Sequence, residues 1–401
     1  MPKEAPASAT SSSPVEPQYN SSLDTITMAE DDVDLELLEL LRQSLGIGIK
    51  SGPEVPKTHI LRDAHFVYDN AIDVALDPFS INRAATSILS SMKSRSYSPK
   101  TWSSHPLHPK PAGEWDEDAL NFVFTMDLLN FSFYSEHTSD DDHRSWAVEW
   151  QGAKYTGYWA MVACLQRALE EEIRITSSDW WQDENESTAA SFCQVFRGTT
   201  ESEEEMPLLA ERIICLREAG RILYEHYECK VSSVIKAADK SAVKLVNLLA
   251  EAFGPVFNDE HRFERKKVRF LKRAQIFVAD VWACFERKGY GEFYDIDEIT
   301  MFADYRIPQM LHSMGCLAYS PPLDFRIRSK GEIESGCSWE VQLRGCTVWC
   351  VELIRRKILE LDPEAEINAI LVDFFLYDTM KENIANGIEV IPHHRTRSIW
   401  Y

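Results

Sequence analysis

The chain is 401 residues long and 44% hydrophobic, enough to bury one large core, and its Lys+Arg 42 against Asp+Glu 64 give a formal net charge of -22. That charge opposes non-specific binding to a phosphate backbone, so a link to nucleic acid is expected to run through a nucleotide and not through a polymer. The nine cysteines contain no C-x-x-C pair, no apolar run reaches membrane-spanning length, and the amino terminus lacks the charged and apolar regions of a secretory signal. These features argue against a zinc or disulfide framework and a membrane partner, and they point to the cytoplasm, with the nucleus as a second compartment.

Residues 1–28 are rich in Ser, Pro, Ala and Thr without apolar periodicity, the composition of a segment that cannot offset its own ordering entropy. Leu35, Leu38, Leu41 and Leu45 then fall at helical spacing beside an acidic face, the pattern of an amphipathic helix that docks on the body or on a partner. Residues 1–62 are therefore expected to be a disordered tail carrying this helical pattern, and residues 63–401 a single globular domain. From Asp63, apolar positions suggest two helices divided by Asp77-Pro78, then a loop over residues 98–111 whose prolines hold His105 and His108 on an extended path. Neither imidazole has an acidic or cysteine partner at metal-ligand spacing, so both are candidate substrate contacts and no metal is expected.

Residues 122–158 are the most β-like part of the chain. Asn130-Phe131-Ser132-Phe133-Tyr134, residues 146–150, a Gln151-Gly152 turn and residues 154–156 predict a small antiparallel sheet. Helical periodicity then predicts helices over residues 159–171, 207–227, 241–253, 263–288, 347–361 and 367–383. The expected fold is mainly α with a small antiparallel β-sheet, and no repeat implies a solenoid.

Two stretches carry candidate chemistry. In Phe302-Ala303-Asp304-Tyr305-Arg306, Asp304 stands between aromatics at the entrance to a helix expected over residues 308–317, where Pro308 suits the first turn. Such an acid caps the helix, pairs with Arg306 or faces a pocket. Farther on, Asp373, Phe374, Phe375, Tyr377 and Asp378 interrupt an apolar helix; Asp373 and Tyr377 share a face and Asp378 points away from it. Acids in so apolar a setting need partners, either Arg and backbone donors or the N–H groups of a purine-like base stacked on the aromatics. The basic run of residues 265–273, at the start of a predicted helix, and Arg395 with Arg397 compete as phosphate ligands. The phosphate-loop, dinucleotide-fingerprint, H-E-x-x-H and G-x-S-x-G motifs are all missing, which weighs against nucleotide-triphosphate hydrolysis, cofactor-dependent redox and serine esterase chemistry.

Taken in order, Asn130-Phe131-Ser132-Phe133, Tyr155-Thr156-Gly157-Tyr158-Trp159, Lys272-Arg273-Ala274-Gln275, Met301-Phe302-Ala303-Asp304-Tyr305-Arg306, Arg344-Gly345-Cys346 and the Asp373 to Asp378 helix resemble the queuosine salvage proteins, or queuosine 5′-phosphate N-glycosylase/hydrolases. The resemblance covers nearly all the chain after about residue 63. It implies a mainly helical fold similar to helix-hairpin-helix DNA glycosylases and release of queuine from queuosine 5′-phosphate, with water completing the reaction and no cofactor. It also implies that Asp304 is the catalytic nucleophile or transition-state stabiliser, that Phe302 and Tyr305 line the base pocket, and that Asp373, Tyr377 and Asp378 hold the base. His105 would contact the ligand, with His108 as the alternative equivalent. The competing expectation is a non-catalytic nucleoside-binding or tRNA-modification adaptor.

Overall fold

The computed structural model describes residues 57–135, 144–388 and 390–401. All of them belong to one unit, Pro56–Tyr401; apart from residues 57–62, the expected tail with its helical pattern at residues 31–45 lies outside the described residues. Helix α1 (Ile60–Asn70) opens the body, with Thr58 and Ile60 already buried. Strand β1 (Val74–Leu76) leads to α2 (Pro78–Arg95), which Asp77 caps by accepting the Ser80 N–H at 2.7 Å. Pro78 takes the first turn, where an N–H has no helical acceptor.

Helices α3 (Pro99–Ser104) and α4 (Glu117–Leu128) follow. Strands β2 (Ala147–Trp150) and β3 (Ala153–Thr156) pair antiparallel around Gln151 and Gly152, whose φ values of 48° and 80° give the turn a twist that matches its strands. The chain continues through α5 (Gly157–Glu170), α6 (Ser178–Gln182), α7 (Ala189–Val195), α8 (Leu209–His226), α9 (Val231–Ala237), α10 (Ala242–Ala252) and α11 (Gly254–Phe257). A second hairpin, β4 (Glu260–Phe263) with β5 (Lys266–Arg269), precedes α12 (Lys272–Cys284) and α13 (Arg306–Ser313). Strand β6 (Leu317–Tyr319), α14 (Pro321–Arg328), α15 (Ser338–Leu361) and α16 (Ala369–Ala385) complete the elements. The fold is mainly helical, and its strands form three separate two-stranded antiparallel sheets among the described residues.

The core is organised around α12. Every residue from Lys272 to Cys284 is buried, as expected of a helix that is enclosed on all sides. Helices α3, α4, α10 and α11 pack on it, while α15 packs on α1 and α2. At that second crossing Gly345 leaves no room for a side chain: a Cβ there would stand 2.5 Å from Val67 Cγ1.

Several local expectations give way to tertiary structure. Residues 263–288 are not one helix, because the basic run folds as the β4–β5 hairpin and only Lys272 and Arg273 enter α12. Glu264 and Arg265 adopt the positive φ values, 44° and 66°, that a tight hairpin turn requires. Residues 130–134 are not a strand; Ser132 has φ 42° and donates its N–H to the Tyr401 carbonyl at 2.7 Å, so this backbone is committed to the C-terminal segment. The proline-rich loop contains α3. Helix α13 starts at Arg306, ahead of Pro308, and ends before Leu317, which belongs to β6.

Candidate active site

Residues 300–304 run without regular structure into α13, and three helices hold them. From α12, Gln275 accepts the Thr300 N–H at 2.9 Å and donates to its hydroxyl at 2.9 Å. From α16, Asp373 Oδ2 accepts the Phe302 N–H at 3.0 Å. From α15, Arg344 Nε donates to the Ala303 carbonyl at 3.2 Å. Three stretches that are far apart in sequence thus converge on the backbone just ahead of Asp304.

Asp304 itself is both a cap and a wall residue. Its Oδ1 accepts the Arg306 and Ile307 N–H groups, each at 2.9 Å, which offsets the bias of Ile307 against helical geometry before Pro308. No hydrogen bond to Oδ2 is present among the described residues, and the carboxylate borders a cavity of about 490 Å³. Burial raises its pKa, against the opposing pull of Lys272 and of the two amides. The Lys272 ammonium is itself lowered to about 8 by burial, although Asp304 works to raise it.

The same cavity is lined by all the other residues singled out in sequence: His105, Phe302, Tyr305, Asp373, Tyr377 and Asp378. Asp373 is pushed well above the usual carboxylate range by burial and then by the charge of Asp304. Asp378 accepts the Tyr97 hydroxyl at 2.5 Å and is raised by burial. Phe302 and Phe374 present tilted rings 6.1 Å apart. Tyr305 packs between His393, at 4.5 Å, and Tyr401, at 6.4 Å.

The two loop histidines differ in how they are engaged. His108 is buried, donates from Nδ1 to the Trp102 carbonyl at 2.8 Å and accepts at Nε2 from the Tyr158 hydroxyl at 2.8 Å. His105 is half-buried and stacked on Trp159 at 3.5 Å, and its Nδ1 accepts the Leu107 N–H at 3.3 Å. Its Nε2 therefore carries the proton, with no protein acceptor among the described residues, and the residue lines the cavity. Burial lowers both, His105 to about 4 and His108 to about 3, so both are neutral at physiological pH.

A family profile described as "Queuosine salvage protein" matches residues 107–401. The chain belongs to the queuosine salvage family. It is 38% identical over 355 residues to the "Queuosine 5'-phosphate N-glycosylase/hydrolase" of Schizosaccharomyces pombe, covering 86% of this chain and 100% of that protein. It is 40% identical over 344 residues to the protein of the same description from Mus musculus, covering 84% of this chain and 97% of that protein. A bacterial protein so described, from Sphaerobacter thermophilus, is 37% identical over 318 residues, covering 79% of this chain and 91% of the relative.

Within this member of the queuosine salvage family, sequence reasoning overlooked part of the cavity wall. Asp280 lines it from α12, with Asp127 of α4 behind, and Tyr97, Trp102 and Trp159 supply aromatic surface. The signal that exposed Asp373, an acid inside an apolar helical run, is also present at Val278-Ala279-Asp280-Val281 and Phe124-Thr125-Met126-Asp127-Leu128. Of the basic run at residues 265–273, Lys272 reaches the cavity. Arg273 instead donates to the Leu128 carbonyl at 2.6 Å, and Arg397 to the Tyr134 carbonyl at 2.9 Å. Among the described residues no cluster of His, Cys, Asp and Glu is arranged to hold a metal, and no helix is long and apolar enough to cross a membrane.

Proposed function

We propose that this chain hydrolyses the N-glycosidic bond of queuosine 5′-phosphate, releasing queuine and ribose 5-phosphate and so returning queuine to tRNA modification. The observation that carries the reading is Asp304, a carboxylate oriented by two backbone amides on the wall of an aromatic-lined cavity and under the influence of the Lys272 ammonium. As the bond breaks, its electron pair goes to the base and positive charge grows on C1′ and the ring oxygen. A fixed carboxylate stabilises that charge, or adds to C1′ before water replaces it. The oxygen of water ends on C1′ and the proton balance is closed at the base.

Queuine is a 7-deazapurine and has no N7 to take a proton, so the leaving base is activated elsewhere. Asp373 suits that task, because burial beside Asp304 favours its protonated form. Asp304, which accepts two amides, is the easier of the two to ionise. Environments that push two carboxyls apart in this way assign one as acid and the other as charge stabiliser. Phe302, Phe374 and Tyr377 offer faces for the base, with Tyr305, Asp378 and His105 completing the wall. The cations on that wall are Lys272, Arg306 and Lys381, and the 5′-phosphate is assigned to them in preference to Arg395 and Arg397. The likeness to helix-hairpin-helix glycosylases is part of this proposal, supported by a carboxylate at a helix entrance beside an interhelical cavity. So is residence in the cytoplasm, with the nucleus second, supported by nine free cysteines.

The test is incubation of the purified protein with queuosine 5′-phosphate and, separately, with queuosine, with queuine detected by mass. Release of queuine, lost by about 100-fold or more in Asp304→Asn with the fold retained, is the expected result. Binding without turnover would favour the adaptor role. Wild-type turnover in Asp304→Asn would remove Asp304 from the reaction.

A further inference from the structure

Lys272, Ile276 and Asp280 reach the cavity wall from one face of α12, each a turn beyond the last. Eight residues of helix set the two charged positions about 12 Å apart along the axis. Lys272 marks the end near Asp304, where the sugar and the scissile bond belong; Asp280 marks the far end.

Asp280 is only 3% exposed, yet its small open surface faces the cavity. Its polar neighbours are the Trp102 side chain and the carboxyl of Asp127. Asp127, 0% exposed, projects from α4, and neither of its carboxylate oxygens meets a donor in hydrogen-bonding geometry among the described residues. Lys272 is the cation whose field reaches Asp127, but its ammonium donates to the Asn130 carbonyl at 3.3 Å. A purely structural acid in a packed core is met by donors or a cation. No cation touches this pair: Asp280 has the Trp102 side chain, Asp127 has only Asn130 nearby, short of good hydrogen-bonding geometry, and the pair opens toward the ligand space.

We propose that Asp280, backed by Asp127, is the subsite for a positively charged amine carried on the base, and so selects bases that bear a cationic aminomethyl arm. Two adjoining carboxyls in a buried wall cannot both ionise cheaply, and burial raises both. An arriving ammonium supplies the missing charge and the missing N–H donors together, which a neutral substituent cannot do. The surroundings agree. Trp102 and Trp159 offer rings to a cation, and the neighbouring His105 and His108 are uncharged and do not repel one. Asp373 and Asp378 are then left for the guanine-like edge and the remainder of the ligand.

The inference rests on the proposed function, and its test separates the two. The probes are 7-aminomethyl-7-deazaguanosine 5′-phosphate and 7-cyano-7-deazaguanosine 5′-phosphate, which share a guanine-like edge, a sugar and a phosphate but differ in the charge on the arm. Hydrolysis is read as kcat/KM, and binding of the two free bases is read separately by calorimetry. Wild-type protein is expected to favour the aminomethyl compound by about 10- to 100-fold, and the preference to fall toward unity in Asp280→Asn and in Asp127→Asn. Because each preference is a ratio within one protein sample, partial loss of folded material does not change it. An undiminished preference in both variants, or equal handling of the two compounds by the wild type, overturns the subsite. Failure to hydrolyse queuosine 5′-phosphate itself, while the base-binding preference follows Asp280, overturns the proposed function and supports the subsite.

Discussion

Arg344 holds the carbonyl of Ala303, the residue before Asp304, with Nε at 3.2 Å, while its two terminal nitrogens grip both oxygens of Asp259 at 2.9 and 2.5 Å. Asp259 Oδ2 also accepts the Lys272 backbone N–H at 3.1 Å. One buried ion pair therefore ties the start of α12, which carries Lys272, to the segment that carries Asp304. Burial works to raise Asp259, but Arg344 and His261 hold its carboxyl well below the usual range, so the pair stays charged.

Arg344→Lys keeps the charge but loses the two-pronged geometry. Stability is expected to fall by about 2–3 kcal/mol, less than the loss on removing one partner of a buried pair altogether. Because the variant also releases the Ala303 carbonyl, kcat for queuosine 5′-phosphate should fall by about 10-fold or more with a smaller change in KM. Denaturant melts and steady-state kinetics on the same preparation check this; a stability loss with unchanged kcat would show that Arg344 does not position Asp304.

The pH profile should be bell-shaped, and its two limbs have opposite causes. The proposed role of Asp304 requires it to be ionised, and burial raises its pKa, so activity should fall as pH drops through a value above the ordinary carboxylate range. Lys272 must be protonated to serve an anion, and burial lowers it to about 8, so activity should fall as pH rises past that point. Lys272→Gln should flatten the alkaline limb while lowering activity throughout. Folding stability carries the reverse sign for this lysine. The native state binds fewer protons than the unfolded chain between about 8 and the ordinary value of 10.5, so its contribution becomes more favourable as pH rises through that window. A profile of kcat/KM with no alkaline limb near 8 would contradict the role of the ammonium.

What could be read from the sequence follows from where the information lies. Helix α16 was legible because Asp373 and Asp378 break a strongly apolar run, and the β2–β3 hairpin because Gln151-Gly152 separates short β-like runs. The same acid-in-apolar-run signal marks Asp127 and Asp280. Other features are not local. Strand β1 pairs with β6, Val74 opposite Tyr319, and no pattern in three residues announces a partner so far along the chain. Phe131 to Tyr134 has strong β propensity, yet the C-terminal segment claims its backbone through Ser132. The charges of Lys266, Lys267 and Arg269 obscured a hairpin that their backbone forms readily.

The loop histidines should separate by phenotype. His105→Ala gives up one long hydrogen bond from the Leu107 N–H, at 3.3 Å, and removes an imidazole from the cavity wall, so KM should rise by about 5- to 10-fold with a loss of stability below about 1 kcal/mol. His108→Ala strands the Trp102 carbonyl and the Tyr158 hydroxyl, both its partners at 2.8 Å, and should lower stability by about 1–3 kcal/mol. Kinetics and thermal unfolding of the two variants decide the matter. A large KM effect confined to His108→Ala would make His108 the ligand contact instead.

Gly345 offers a test of packing in a motif otherwise read through Arg344. A Cβ there would stand 2.5 Å from Val67 Cγ1 and 2.6 Å from Val67 Cβ, and the second of these is fixed to the α1 backbone. Gly345→Ala gains about 1 kcal/mol of helix propensity, but α1 and α15 must separate to admit the methyl, at about 1–3 kcal/mol. The clash should win, lowering stability by up to about 2 kcal/mol and weakening the anchor of the neighbouring Arg344. Val67→Ala removes Cγ1 and Cγ2 at the cost of a cavity but leaves Cβ in place, so it relieves part of the clash, and the double variant should be somewhat more stable than the sum of the single effects predicts. Simple additivity in denaturant unfolding would mean that α1 shifts freely and that the close approach of the two helices is not what requires glycine at this position.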